Sequence, residues 1–114
     1  MTKSEVKKLD QLFQERVSYL KPISLLGGKT EVIHHFIHRS TLSCRWWISN
    51  GVALTNNQHN EVHKNPLVKH AVMDKLGASY LIELLKRANL IVKNLKYCDV
   101  ENYLNGDEDI PLSI

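Results

Sequence analysis

The sequence predicts an α+β fold in a single domain, residues 1–114: one helix, two strands pairing as an antiparallel hairpin, a short helix, then further helices. Three observations predict it. Apolar residues recur every three or four positions through the opening stretch, residues 30–54 are rich in β-branched and aromatic side chains, and helical spacing returns after Thr55. A chain of 114 residues buries a core without staples. With 43% hydrophobic and 24% charged residues it is an ordinary globular composition, which excludes a disordered chain and names no activity.

Each element has its own signal. Val6, Leu9, Leu12, Phe13, Val17 and Leu20 form one stripe of a helix over residues 2–20, and Thr2 followed by Glu5 is a capping box. Pro22 and Gly27-Gly28 make residues 21–29 a loop. Residues 30–38 and 42–54 read as the two strands, with Asn50-Gly51 a turn, bend or bulge in the second. Thr55 and Gln58 form a second capping box, opening a helix over residues 56–64, and Pro66 closes that stretch or begins the next one. Residues 67–76 are helical up to Gly77. A longer helix follows over 78–93 on a stripe of Leu81, Leu84, Leu85, Ala88 and Val92, and a short one over 97–104. The acidic tail with Asp107, Glu108 and Asp109 reads as loose. Phe36, Trp46 and Trp47 read as core residues.

A net charge of +3 permits contact with a polyanion without requiring it. Cys44 and Cys98 form no CxxC pair, which excludes a cysteine-rich zinc knuckle. No apolar run reaches the roughly 20 residues of a membrane span and no signal-like segment opens the chain. The expectation is an intracellular, cytoplasmic protein with no membrane partner.

The six histidines all fall within residues 34–70. His59 and His63 stand one helical turn apart, on one face, where two imidazoles can share a metal ion. His34 and His35 are adjacent on a strand, so regular alternation sends them to opposite faces, and service at one site needs a local distortion. Asn50 lies between the two pairs.

The stretch IHHFIHRSTLSCRWWISNGVALTNNQHNEVH resembles the HNH, or ββα-metal (His-Me finger), nuclease motif over about residues 30–65. The resemblance lies in the His-His doublet, the following HRS, the RWWISNGVAL segment and the closing HNEVH, in that order. CRWWISNGVAL and MDKLGASYLIELL are also loosely similar to phage recombination nucleases of the lambdoid nin region. The resemblance implies His34, His59 and His63 as metal ligands, His35 as the general base and Asn50 as the residue that braces the loop and orients that base. Arg39, Arg45 and His38 become candidates for gripping phosphate, and His70 is left as structural or solvated.

Such a site suits phosphodiester hydrolysis. A histidine near its ordinary pKa of about 6.5 can activate water at neutral pH. Three ligands leave a coordination position open, and nitrogen donors suit zinc, nickel, cobalt or manganese better than magnesium. The function this implies is a metal-dependent endonuclease cutting DNA, branched or otherwise structured DNA included. It would hold one divalent ion, be phage-encoded in a bacterial host, and act as a homodimer if it breaks both strands. The chain departs from members with a second, cysteine-held zinc, because Thr55 and Gln58 stand where those cysteines would fall. The competing expectations are an HNH-like DNA-binding module that no longer cuts, and a protein with a histidine-held structural zinc.

Overall fold

The computed structural model describes residues 1–106, 109, 110 and 112. The chain is α+β. Its elements are α1 (Lys3–Leu20), β1 (Val32–His35), α2 (Leu42–Arg45), a 3-10 turn (Ile48–Asn50), β2 (Gly51–Leu54), α3 (Asn56–Lys64), α4 (Pro66–Leu76), α5 (Ala78–Ala88) and α6 (Tyr97–Leu104). Both capping boxes are present. The Thr2 and Thr55 hydroxyls accept the Glu5 and Gln58 backbone N–H groups, and the Glu5 and Gln58 side chains accept in return from the two threonine N–H groups. Of the acidic tail, Asp107 and Glu108 lie outside the described residues. Asp109 is not loose: it accepts a bond from the Arg87 guanidinium, and Ile110 beside it is buried.

The two strands pair antiparallel, with Val32 opposite Leu54, Ile33 opposite Ala53, His34 opposite Val52 and His35 opposite Gly51. Strand alternation then sorts the side chains. Ile33 and Ala53 join Leu9, Phe13 and Val17 of α1, Trp46, and Val100, Tyr103 and Leu104 of α6 in one core. Val52 and Leu54 join Val62 of α3 and Val72 of α4 in a second, with Val32, Phe36, Val68 and Leu76 packed on it. The ribbon is therefore a wall between two cores. Its outer edge along β1 is closed by Gln14, whose amide donates to the Ile33 carbonyl at 3.1 Å and accepts the Ile33 N–H at 3.1 Å. That occupies the outward-facing donor and acceptor of Ile33, so another strand cannot pair with the edge at that residue.

Four expectations need correction. The first strand occupies only Val32–His35 of the expected residues 30–38. The second strand occupies only Gly51–Leu54, because residues 42–50 wind into α2 and the 3-10 turn. Tertiary contacts override the β-rich composition there: Trp46 is sealed in the α1 core and its indole N–H donates to Asp10 at 2.8 Å. Asn50 closes the 3-10 turn, so the pair is no bulge within a strand, and it is Gly51, with φ −88, that begins β2. Its lack of a side chain is still required. A Cβ there would sit 2.9 Å from Ile33 Cγ2, 3.0 Å from Phe13 Cζ and 3.1 Å from Val17 Cγ1, so the glycine lets α1 lie directly on the ribbon. Finally, α5 ends at Ala88 instead of reaching residue 93. The chain turns there and delivers Leu95 and Tyr97 to the α1 core, a burial that a straight helix would forgo.

Candidate metal centre

α3 and the even-numbered face of β1 meet beside the second core, and there the imidazoles of His34, His59 and His63 converge. Their nearest ring nitrogens all lie within 4.8 Å of one another. Ring centroids are 5.2 Å apart for His34 and His59, 5.2 Å for His34 and His63, and 4.8 Å for His59 and His63. The Nε2 atoms of His59 and His63 are 3.2 Å apart. Metal–nitrogen bonds of about 2.0–2.1 Å at tetrahedral angles place donor atoms about 3.3 Å apart, so this pair is already at the spacing one ion requires.

The local sequence explains the convergence. The Thr55 capping box starts α3 immediately after β2, fixing the helix phase relative to the ribbon. Val62 locks that phase by packing into the second core, which turns His59 and His63 along the rim beside it. His34 rises to meet them from the neighbouring strand because it shares a face with Val32.

Protonation state favours the same chemistry. His34 is pushed down from 6.5 to about 4, first by burial, then by the positive charges that His59, His63, His35 and Lys69 would set against its own. His59 is lowered by burial and by His63. At neutral pH His34 is thus an unprotonated nitrogen donor, the form that binds metal. No carboxylate joins the cluster among the described residues. A divalent ion held there would keep its full charge toward an anionic ligand.

His35 is placed differently. It shares the odd-numbered face with Ile33, its ring stacks on Phe13 with centroids 4.8 Å apart, and its Nε2 lies 2.8 Å from the Arg45 carbonyl oxygen. A carbonyl can only accept, so Nε2 carries the hydrogen and Nδ1 carries the lone pair. Burial lowers the His35 pKa, while the bond to Arg45 and the charge of Asp10 oppose that shift. The ring is partly exposed rather than sealed.

Asn50 is fully buried, and its side chain works as a clamp. Its Oδ1 accepts the Ile37 N–H at 2.7 Å and its Nδ2 donates to the Ile37 carbonyl at 3.0 Å, while its own carbonyl accepts the Phe36 N–H at 3.0 Å. The chain leaving the His34-His35 doublet is held on three bonds to one residue.

The basic candidates divide. Arg39 and His38 are exposed on the loop that Asn50 braces, and the His38 Nδ1 lies 2.9 Å from the Ser40 hydroxyl. Arg45 is used inside the fold. Its Nε and Nη2 donate to the two Asp10 oxygens at 3.1 and 2.8 Å, and its guanidinium lies 5.2 Å from the Trp46 ring. That pairing ties α2 to α1 and leaves Arg45 a poor grip for phosphate. Burial works against the charged form of Asp10, but Arg45 and Trp46 outweigh it and hold the carboxyl below its usual range. His70 is exposed on α4. Lys69 was missed by sequence reasoning. It follows Val68 on α4, beside the core-facing stripe, and its charge reaches His34. Nothing in the HNH-like stretch points to it, because it lies six residues beyond His63 on another helix.

Among family models, curated proteins and solved structures, none matches this chain. Among the described residues, no helix is long and apolar enough to cross a membrane.

Proposed function

We propose that the chain is a metal-dependent endonuclease of the HNH (ββα-metal) type that hydrolyses phosphodiester bonds in DNA, branched or otherwise structured DNA included. The observation that carries this reading is the convergence of His34 with His59 and His63 on an antiparallel ribbon and the helix that follows it, with Asn50 clamping the chain just after the histidine doublet. The all-nitrogen donor set suits zinc, nickel, cobalt or manganese, and magnesium less. When bound, a divalent cation supplies positive charge to the scissile phosphate and to the leaving oxygen.

The protein's own residues account for the remaining roles. His35 accepts a proton from the attacking water at Nδ1, because the Arg45 carbonyl fixes the hydrogen on Nε2. Asn50 holds the loop that carries His38 and Arg39, and those two side chains, with Lys69, meet the phosphate backbone. Cutting both strands of a duplex from one such centre calls for two copies, so a homodimer belongs to this reading.

A second reading is favoured by the packing of His35 between Phe13 and the Arg45 carbonyl, on the ribbon face opposite His34. Under it the triad holds a structural ion or docks DNA without cutting, and His35 is a packing residue. One experiment separates the two. Wild type and His35→Ala are incubated with plasmid, linear, single-stranded and branched DNA in several divalent metals, with bound metal measured in both. The nuclease reading expects cutting by the wild type that chelator stops, and a His35→Ala protein that keeps its metal and does not cut. Full cutting by His35→Ala, or a metal-loaded wild type that cuts nothing, overturns it.

A further inference from the structure

A second feature of the molecule stands apart from the histidines. The Gly51 and Ala53 carbonyls on the outer edge of β2 point away from β1, where they accept the Lys21 ammonium at 2.8 Å and the Leu25 N–H at 2.8 Å. Beside that edge lies a cavity of about 480 Å³, walled by Ile23 and Leu25 on one side and by Leu76 and Tyr80 on the other, with Lys21 and Lys75 also lining it. Its volume falls in the range of about 300–1,000 Å³ typical of small-molecule sites.

The chemistry of its lining is one-sided. The Tyr80 hydroxyl is spent on the Ser49 carbonyl, so the residue offers its ring to the cavity. Ile23 is 69% exposed at the rim, an apolar side chain without cover. Lys21 is the unusual member. It is half-buried, it donates to the Gly51 carbonyl at 2.8 Å and to the Ile48 carbonyl at 3.4 Å, and among the described residues it has no acidic partner. An ammonium has three donors, so one remains after these two bonds. Burial without a counter-charge lowers its pKa, the cost a half-buried cation bears until an anion joins it. Lys75, exposed on α4, adds a second positive charge.

We propose that this cavity binds a small amphiphilic anion, a carboxylate on an apolar body, with the headgroup on Lys21 and Lys75 and the body against Ile23, Leu25, Leu76 and Tyr80. The occupant follows from charge complementarity: two cations and no acid in an otherwise apolar lining favour an anion over an alcohol and reject an amine. The site is independent of the metal centre and of the nuclease reading.

The test is calorimetric titration of decanoate, decanol and decylammonium, below their aggregation concentrations, into the full chain and into Lys21→Met and Lys75→Gln. The wild type is expected to bind decanoate saturably at one site, decanol at least about tenfold more weakly and decylammonium not at all; a tenfold preference corresponds to about 1.4 kcal/mol. Either variant should bring decanoate and decanol to within about threefold of each other, while His59→Ala should bind decanoate as the wild type does. Lys75 is exposed, so its replacement leaves the fold intact even if Lys21→Met unfolds. Equal binding of decanol and decanoate by the wild type, no saturable binding of decanoate, or an unchanged preference in Lys75→Gln overturns the proposal.

Discussion

The two faces of the β1–β2 ribbon differ in what they ask of a histidine. On the face toward α3, His34 meets His59 and His63, three imidazoles that no carboxylate joins among the described residues, and burial with mutual repulsion keeps His34 unprotonated down to about pH 4. On the face toward α1, His35 is stacked on Phe13 and held at one nitrogen by the Arg45 carbonyl. Adjacent residues with the same side chain thus have different chemistry available. The first can share a cation with its neighbours, while the second has a fixed tautomer and one free lone pair. The difference arises from the alternation of a strand and from the helices that cover it, not from the residue type.

The sharpest way to break that comparison is to remove each histidine in turn. His34→Ala should lower metal affinity by about a hundredfold or more, since even the loss of partners behind a ligand costs about 10–100-fold. His35→Ala should leave metal affinity within about twofold and, if the nuclease reading holds, lower the cleavage rate by about 10²–10⁴-fold. Calorimetric metal titration alongside a plasmid assay reads both, and equal metal loss in the two variants would erase the distinction between the faces.

A smaller effect is expected where the two faces are joined. Asn50→Ala leaves the half-buried Ile37 N–H and carbonyl without their side-chain partner, a loss of about 1–3 kcal/mol that urea denaturation will measure. Cleavage should fall with it, and metal affinity should change less than in His34→Ala. Gly51→Ala tests the α1 face alone. A methyl pressed between Ile33, Phe13 and Val17 should destabilise by about 1–3 kcal/mol, seen as a lower thermal midpoint, with the metal affinity of the refolded protein retained. An unchanged midpoint would mean that α1 rides more loosely on the ribbon than the contacts indicate.

The smallest effect belongs to Lys69. Its replacement by alanine should leave stability unchanged, raise metal affinity slightly by removing a like charge near His34, and reduce the steepness of the salt dependence of DNA binding by about one phosphate contact, a change of about 0.9 in the log–log slope. A slope equal to that of the wild type removes Lys69 from the phosphate-facing set.

Much of the fold was legible because its signals are local. The capping boxes at Thr2 and Thr55 and the apolar stripe of α1 each lie within a few residues, and the structure starts α1 and α3 where they predict. The stretch before Asn50 was not legible. Its aromatic and β-branched residues are as common in strands as in cores, and the contacts that hold it as α2 come from far away in the chain: Asp10 bonds Arg45 and Trp46, and Arg87 bonds the Ser43 carbonyl. The bond-donating role of Gln14 at the β1 edge and the reach of Lys69 toward His34 were hidden for the same reason.

For the candidate site, the sequence by itself determined which donors exist and how they are phased within each element: two imidazoles one turn apart on a capped helix and two on consecutive strand positions. Short-range sterics and backbone hydrogen bonding set that phasing wherever the segment lies. Only the tertiary structure decided that His34 and not His35 joins the helix pair, that Arg45 is bound to Asp10, and that Gly51 must lack a side chain. Those outcomes depend on which surfaces are buried against each other, and burial is a property of the whole chain that no short stretch of residues contains.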